Sequence, residues 1–207
     1  AEHADEEHRH DALREVVAAC IHGVDINPMA VELCKINLWL ETLDPGRPLS
    51  FLDANIQCGN SLLGATPALL REGIPDGAFT PITGDDRDYC TEWRKRNREE
   101  RESGQLSLNL DSAPWEHLGD LAANMAAFAM MADDTAGDVQ AKEELYAELV
   151  RSQAYTFNRL WADAWCAAFV WHKTPACDYP ITEGLFRGLE HNPYSVAPWV
   201  RDEIGRL

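Results

Sequence analysis

The chain lacks a basic excess, a Cys-x-x-Cys pair, a long apolar run and any Gly-x-Gly, and each absence narrows what it can be. Eighteen lysines and arginines against 35 acids leave a formal charge of −17. A net anion is repelled by phosphate, so this chain is not by itself a nucleic-acid clamp. Cys20, Cys34, Cys58, Cys90, Cys166 and Cys177 are scattered, several within apolar runs, and read as reduced cytosolic thiols rather than a disulfide framework. The longest apolar stretch, Leu121 to Met131, falls far short of the roughly 20 residues a bilayer span needs, so the expectation is a soluble, cytoplasmic chain with no membrane partner. No initiator Met and no leader pattern stand at Ala1, which reads as an internal piece of a larger protein. There is no internal repeat or low-complexity tract.

What is present is 207 residues at 45% hydrophobic content, enough for one substantial core or for a domain with a large insertion. Leu13, Val16 and Val17 recur at helical spacing within Ala4 to Ala19. Cys20 to Ile26 is a short β-capable run ending near an acid. Asn27 then supplies a helix cap and Pro28 a preset first helical residue. From Pro28 to Leu43 apolar residues cover most of the helical circumference, which predicts a core helix buried on more than one side. Asp44-Pro45-Gly46 stops it, and a second β-capable stretch lies within Leu49 to Cys58. The sum is one β-α-β unit with parallel strands and a right-handed crossover.

After Gly64 the chain changes character. Pro67, Gly73, Pro75, Gly77, Pro81 and Gly84 punctuate a loop-rich passage, and helical patterns follow over Asp86 to Glu102, Trp115 to Met131, Asp138 to Leu149, Phe157 to His172, Ile181 to Leu189 and Ala197 to Leu207. The expected division is therefore 1–64, a β-α-β region, and 65–207, a largely helical region. The fold class is mostly α with a small parallel β-α-β unit.

Asp25 ends the first strand of that unit. In open α/β sheets ligands bind outside the carboxyl ends of strands, where an acid can accept both hydroxyl protons of a nucleoside ribose. An acid there also serves as a turn residue that stabilises the next helix through its dipole. Strand, turn and helix order alone leaves both readings open.

Gly23-Val24-Asp25-Ile26-Asn27-Pro28-Met29-Ala30-Val31-Glu32-Leu33-Cys34-Lys35, followed by Asn37 to Glu41, Leu49 to Asp53 and Cys58-Gly59-Asn60-Ser61-Leu62-Leu63-Gly64, closely resembles the large adenine-N6 DNA methyltransferases of type IIG restriction–modification and BREX-like phage-defence systems. The detailed match covers about the first third of the chain. Ala162 to Trp171 looks like the helical region those enzymes carry between their cofactor and catalytic motifs. The resemblance implies a partial class I, Rossmann-like methyltransferase fold plus a helical insertion, with S-adenosylmethionine as cofactor. It implies that Asp25 binds the cofactor ribose and that Ile26 packs on its adenine. Asn60, where many relatives have Asp, would meet the adenine amino group through its side-chain carbonyl, with Ser61 beside it.

The family's glycine-rich loop has no counterpart, so half of the cofactor site is missing. The Asn-Pro-Pro-Tyr or Asp-Pro-Pro-Tyr motif that holds a flipped adenine is missing too. His191-Asn192-Pro193-Tyr194 imitates it without the second Pro, with Tyr displaced by one position and with no strand before it, so no catalytic residue is assigned. The expectation is a fragment that is catalytically silent alone. It would meet DNA and the remainder of the parent methyltransferase only in the intact protein.

Two other readings compete: a truncated NAD-type Rossmann enzyme, which also places an acid on a ribose, and a helical docking or scaffold module of a defence complex. His3, His8 and His10 among acids read as a solvated face, and Cys166, His172 and Cys177 lack zinc spacing, so no metal is expected. Arg94, Lys95, Arg96, Arg98 and Arg101 interleave with Glu92, Glu99, Glu100 and Glu102, as on a salt-bridged exposed helix, and Trp161, Trp165 and Phe169 repeat at core spacing. With no neighbouring first strand, the strand ending at Asp25 has a bare edge, so self-association, a covered edge or a disordered β-α-β unit is expected.

Overall fold

The computed structural model describes the backbone of residues 2–44, 46–104, 115–177 and 179–207, and side chains outside 2–7, 104, 115–120 and 122 within that set. The chain is mostly helical with one two-stranded parallel sheet. In order it runs α1 (Glu2–Cys20), β1 (Gly23–Asp25), α2 (Pro28–Glu41), β2 (Ile56–Cys58), α3 (Pro67–Glu72), a 3-10 turn (Asp76–Phe79), α4 (Arg87–Gly104), α5 (Trp115–Ala129), α6 (Ala136–Arg151), α7 (Gln153–Val170), α8 (Glu183–His191) and α9 (Pro198–Arg206). Two compact units divide it. Unit 1 holds Ala1–Leu62 with Asp120–Ser152, and unit 2 holds Leu63–Gly119 with Gln153–Leu207. The break at 62/63 adjoins the expected boundary after Gly64. The helical region does not stay in one piece, however: residues 120–152 cluster with the β-α-β unit, because Phe128 and Tyr146 pack on Phe51 ahead of β2.

In unit 1, β1 and β2 pair in parallel with Gly23 opposite Ile56, Val24 opposite Gln57 and Asp25 opposite Cys58. Side chains alternate across a sheet. Ile56 therefore joins Val17, Val31 and Leu52 in the small core on the α2 side, while the Gln57 amide on the other face donates to the Tyr146 hydroxyl of α6 at 2.8 Å. Asn27 starts α2 by accepting the Met29 N–H at 3.0 Å, with Pro28 at the first helical position. Thr42 ends it, its N–H and its hydroxyl both donating to the Leu38 carbonyl. Pro45, expected to help stop this helix, lies outside the described residues. Lys35, buried on the inner face of α2, is gripped by Glu32 at 2.8 Å and by Asp53 at 2.6 Å, which ties the helix to the segment leading into β2.

One expectation for this unit needs correction. α2 is buried on one side only: Val31 and Lys35 are enclosed, but Met29, Leu33, Ile36 and Leu40 face solvent. A helix apolar all round needs a neighbour on each side, and among the described residues one side has none. The β-α-β unit is ordered, with both strands formed, which sets aside the disordered alternative among those expected for the bare edge.

Unit 2 is built around one continuous core that joins Leu70, Ile74, Phe79, Trp161, Ala164, Trp171, Ile181, Phe186, Leu189 and Ile204. Trp161 and Phe186 stack with centroids 5.1 Å apart. The loop-rich passage after Gly64 proves partly ordered, since Thr66 accepts the Leu69 N–H to cap α3 and the 3-10 turn buries Ala78 and Phe79. Several polar groups sealed in this unit are matched, although the buried Arg94 Nε and Trp171 Nε1 have no hydrogen-bond partner among the described residues. Asn97, fully enclosed on α4, donates to the Ile74 carbonyl at 2.9 Å and accepts the Glu183 N–H at 2.7 Å. The Glu183 carboxylate accepts the Ile74 N–H at 2.7 Å and an Arg187 N–H at 2.7 Å. It lies so close over Gly73, where φ is +82°, that a Cβ there would collide with it.

Candidate functional site

Parallel strands end together, and here the ends of β1 and β2 bring two of the sequence-predicted segments side by side. The Gly59 N–H donates to the Asp25 carbonyl at 2.9 Å, and the Cys58 thiol lies 3.8 Å from the Ile26 carbonyl. Asp25 and Ile26 thus leave one strand while Asn60 and Ser61 leave its neighbour, all four exposed on the C-terminal edge of the sheet. This is the edge at which ligands of open α/β sheets bind.

Local hydrogen bonds set the loop after each strand. Asp25 Oδ1 accepts the Asn27 N–H at 2.7 Å, which turns the chain into the cap of α2. Asn60 Oδ1 accepts the Leu62 N–H at 3.0 Å in a turn of the same kind. The turn role weighed for Asp25 is therefore real, but it occupies one carboxylate oxygen. Oδ2 has no protein partner among the described residues, and the Asn60 carbonyl keeps a second lone pair. Ile26 is 73% exposed, a flat apolar surface next to a carboxylate. Such a set can take a hydroxyl-bearing ring on Asp25, an apolar face on Ile26 and an amino group on Asn60. No lysine or arginine stands among these four residues to hold a phosphate.

The remaining sequence candidates are structural. Asn192 is the C-cap of α8: its N–H donates to the Gly188 carbonyl at 2.9 Å and its Oδ1 accepts the Tyr194 N–H at 2.9 Å, so it makes an Asn-Pro turn after a helix. On α4, Arg96 pairs with Glu100 at 2.9 Å and Lys95 with Glu99 at 3.8 Å. Arg98 and Arg101 both grip Asp76, and Arg94 donates to the Phe79 carbonyl. These bonds hold Asp76 below the usual carboxylate range, the Arg98 hydrogen bond contributing most. Trp161 is core, and all six cysteines are free. His3 has no described side chain, and no group of three or more metal-ligating side chains occurs among the described residues.

Sequence reading missed a buried acid in unit 2 that is held by backbone N–H groups. The Asp85 carboxylate accepts the N–H groups of Lys173 at 2.9 Å and Ile82 at 3.1 Å, and Asp86 donates back to the Lys173 carbonyl at 3.0 Å. Burial alone would raise Asp85, but the two N–H groups, the Lys173 charge and His172 outweigh it and hold the acid low. Burial conversely pushes the Lys173 ammonium down. The only signal in the sequence was Gly84-Asp85-Asp86, which reads as an ordinary acidic turn.

Together, fold and edge define a mostly helical protein carrying a parallel two-stranded sheet whose C-terminal edge presents an acid and an amide. No family model, no curated protein and no solved structure matches the chain. No helix among the described residues is long and apolar enough to cross a membrane.

Proposed function

We propose that this chain is part of an S-adenosylmethionine-dependent DNA adenine-N6 methyltransferase of a restriction–modification or phage-defence system. In this reading unit 1 carries a piece of a class I, Rossmann-like cofactor domain in a cytoplasmic protein. The observation that carries it is the juxtaposition of Asp25 and Ile26 with Gly59-Asn60 at the C-terminal ends of parallel strands, in the order that the resemblance requires. Asp25 Oδ2 holds a ribose hydroxyl, Ile26 supports the adenine ring, and Asn60, with Ser61 next to it, accepts from the adenine amino group. The cofactor supplies the methyl group, and these residues bind and orient its nucleoside end. Nothing in the chain corresponds to the methionine side of the site or to a base-gripping Pro-Pro motif, so the chain alone is catalytically silent. DNA and the rest of the enzyme are its partners in the intact protein.

The test is calorimetry on the full-length parent. Asp25→Ala should weaken S-adenosylhomocysteine binding by about ten- to a hundredfold, as loss of hydrogen bonds to a charged group does. Unchanged affinity refutes the assignment, and thermal stabilisation by NAD in place of S-adenosylhomocysteine would move the reading to a dinucleotide enzyme. One observation favours a second role for unit 2. Arg94, Arg96, Arg98 and Arg101 of α4 are committed to the Phe79 carbonyl, Glu100 and Asp76, which suits a rigid scaffold within the same enzyme or a defence complex better than a DNA-contacting surface. Charge-neutralising substitutions of Lys95 and Arg96 that leave DNA affinity of the intact protein unchanged would support it.

A further inference from the structure

The side of α2 turned away from its own core is an uninterrupted apolar row. At about 100° per residue, Val31, Lys35 and Leu38 face inward, and Met29, Leu33, Ile36 and Leu40 fall on the opposite side. Leu43, just past the cap, continues the row, and all five are 45–65% exposed. Their spacing of 4, 3, 4 and 3 is that of a seam between two helices, whereas isolated exposed apolar residues have no period. No charged side chain interrupts the row. It offers on the order of 500 Å² of apolar surface, as large as the largest patches monomers leave open.

We propose that this row is a self-association surface, on which α2 of a second copy packs antiparallel about a twofold axis. The row is nearly symmetric about Ile36, with Leu33 and Met29 three and seven residues before it and Leu40 and Leu43 four and seven after it. Antiparallel packing sets Ile36 against its own copy and Leu33 against Leu40 of the second chain, with Met29 at the end that Leu43 reaches, the self-complementarity a twofold contact demands. The flanks agree. The same arrangement places Asn37 beside Asn37 and Glu32 beside Trp39, so no like charges face each other, and Glu32 is already paired with Lys35.

Area sets the strength. Two such faces bury on the order of 1,000 Å², the lower end for specific interfaces, which gives a reversible dimer rather than an obligate one. Charge sets the salt response. Unit 1 carries eighteen acids against six bases, so two copies repel at long range and the dimer tightens as salt screens them. A basic partner helix on the same row would loosen with salt instead. The proposal stands independently of any cofactor at Asp25.

Sedimentation equilibrium on the whole chain, from micromolar to several hundred micromolar, tests it. A monomer–dimer equilibrium is expected that strengthens between low and moderate salt and weakens at least about tenfold in a Leu33→Glu, Leu40→Glu variant, both positions being open enough to spare the fold. In a background with the exposed Cys20, Cys34 and Cys58 changed to Ser, Ile36→Cys should cross-link to itself on mild oxidation while Met29→Cys should not. A monomer throughout, a dimer indifferent to the Leu→Glu changes, weakening with salt, or self-cross-linking of Met29→Cys would each overturn it.

Discussion

Unit 2 encloses Leu70, Ile74, Phe79, Trp161, Trp171, Ile181 and Phe186 in one continuous core, with Tyr194 and Trp199 open at its surface, and ties several sealed polar groups together through Asn97, Glu183 and Asp85. Unit 1 encloses Val17, Val31, Leu52 and Ile56 on one face of a two-stranded sheet and a Phe51, Phe128 and Tyr146 ring cluster ahead of β2, while leaving Ile26 and the outer row of α2 in water. The hydrophobic effect acts equally on both, so the difference lies in how complete each unit is. Unit 2 closes one continuous core, whereas unit 1 leaves an apolar row and a strand edge open, which in the proposed reading are completed by a helix along α2 and a nucleoside at the strand ends. On that reading the exposed area of unit 1 is binding surface, and the buried polar bonds of unit 2 make it the more rigid of the two.

The sharpest way to break that contrast is to empty the core of unit 2. Phe186 is fully enclosed and stacked on Trp161, so Phe186→Ala should cost about 3–5 kcal/mol. Hydrogen exchange read peptide by peptide should show the loss in α7, α8 and the 3-10 turn, with β1 and α2 little changed. Equal loss in both units would show that they share one core and that the comparison fails.

A smaller effect is expected where unit 1 depends on one buried cation. Lys35→Met keeps much of the volume but leaves Glu32 and Asp53 without their partner. Removing one member of a buried pair costs 3–5 kcal/mol, and because both carboxylates are half open the loss here should be about 2 kcal/mol. Denaturant unfolding followed by exchange in α2 measures it. The pH response should separate the units by direction. Burial would lower Lys35, but Asp53 and Glu32 outweigh it and hold the ammonium above its ordinary value. Its contribution is thus complete below the unfolded lysine value and is lost as pH rises through the higher folded value. In unit 2 burial would raise Asp85 and Glu100, yet backbone N–H groups, the Lys173 charge and His172 at Asp85, and the Thr182 hydroxyl, the Gly184 N–H and Arg96 at Glu100, hold both low, so that stability is present above the unfolded carboxylate values and is lost as pH falls through the lower folded ones. Acid should therefore loosen unit 2 while the Lys35 contribution to unit 1 persists, and strong alkali should remove that contribution from α2; exchange protection at both extremes checks the two directions.

Much of this arrangement was legible in the sequence, for identifiable reasons. The caps Asn27 and Pro28, the helical periods around Leu160 and Trp161 and the β-capable runs flanking α2 are local signals, and the elements lie where those signals stand. The acid at the end of β1 and the amide after β2 were legible as positions on one sheet edge. The matched core of unit 2 was not. Asn97 sits in a helix whose sequence is mostly charged, and Glu183 stands at a helix start where an acid serves the dipole, so each reads as surface until the long-range contacts to Ile74 exist. The pairing of residues 120–152 with the sheet was hidden for the same reason, because it depends on Phe51 meeting Phe128 across 77 positions. α2 failed in the opposite direction: composition says that a helix can be buried all round, but not whether this chain supplies the second wall.

The smallest effect sharpens the division of labour within the site itself. Asn27 accepts the Met29 N–H to cap α2 and receives on its own backbone N–H the bond to Asp25 Oδ1. Asn27→Ala removes the first bond and leaves the second, which is made by backbone. The helix should lose about 1 kcal/mol, the usual worth of such a cap, seen as faster exchange in the first turn of α2. Asp25 still points its free oxygen from the sheet edge, so cofactor affinity of the intact enzyme should change little, in contrast to the ten- to hundredfold loss expected for Asp25→Ala. If Asn27→Ala lowered affinity as far as Asp25→Ala does, the carboxylate would be acting through the cap rather than on the ligand, and the turn role of Asp25 would be its whole role.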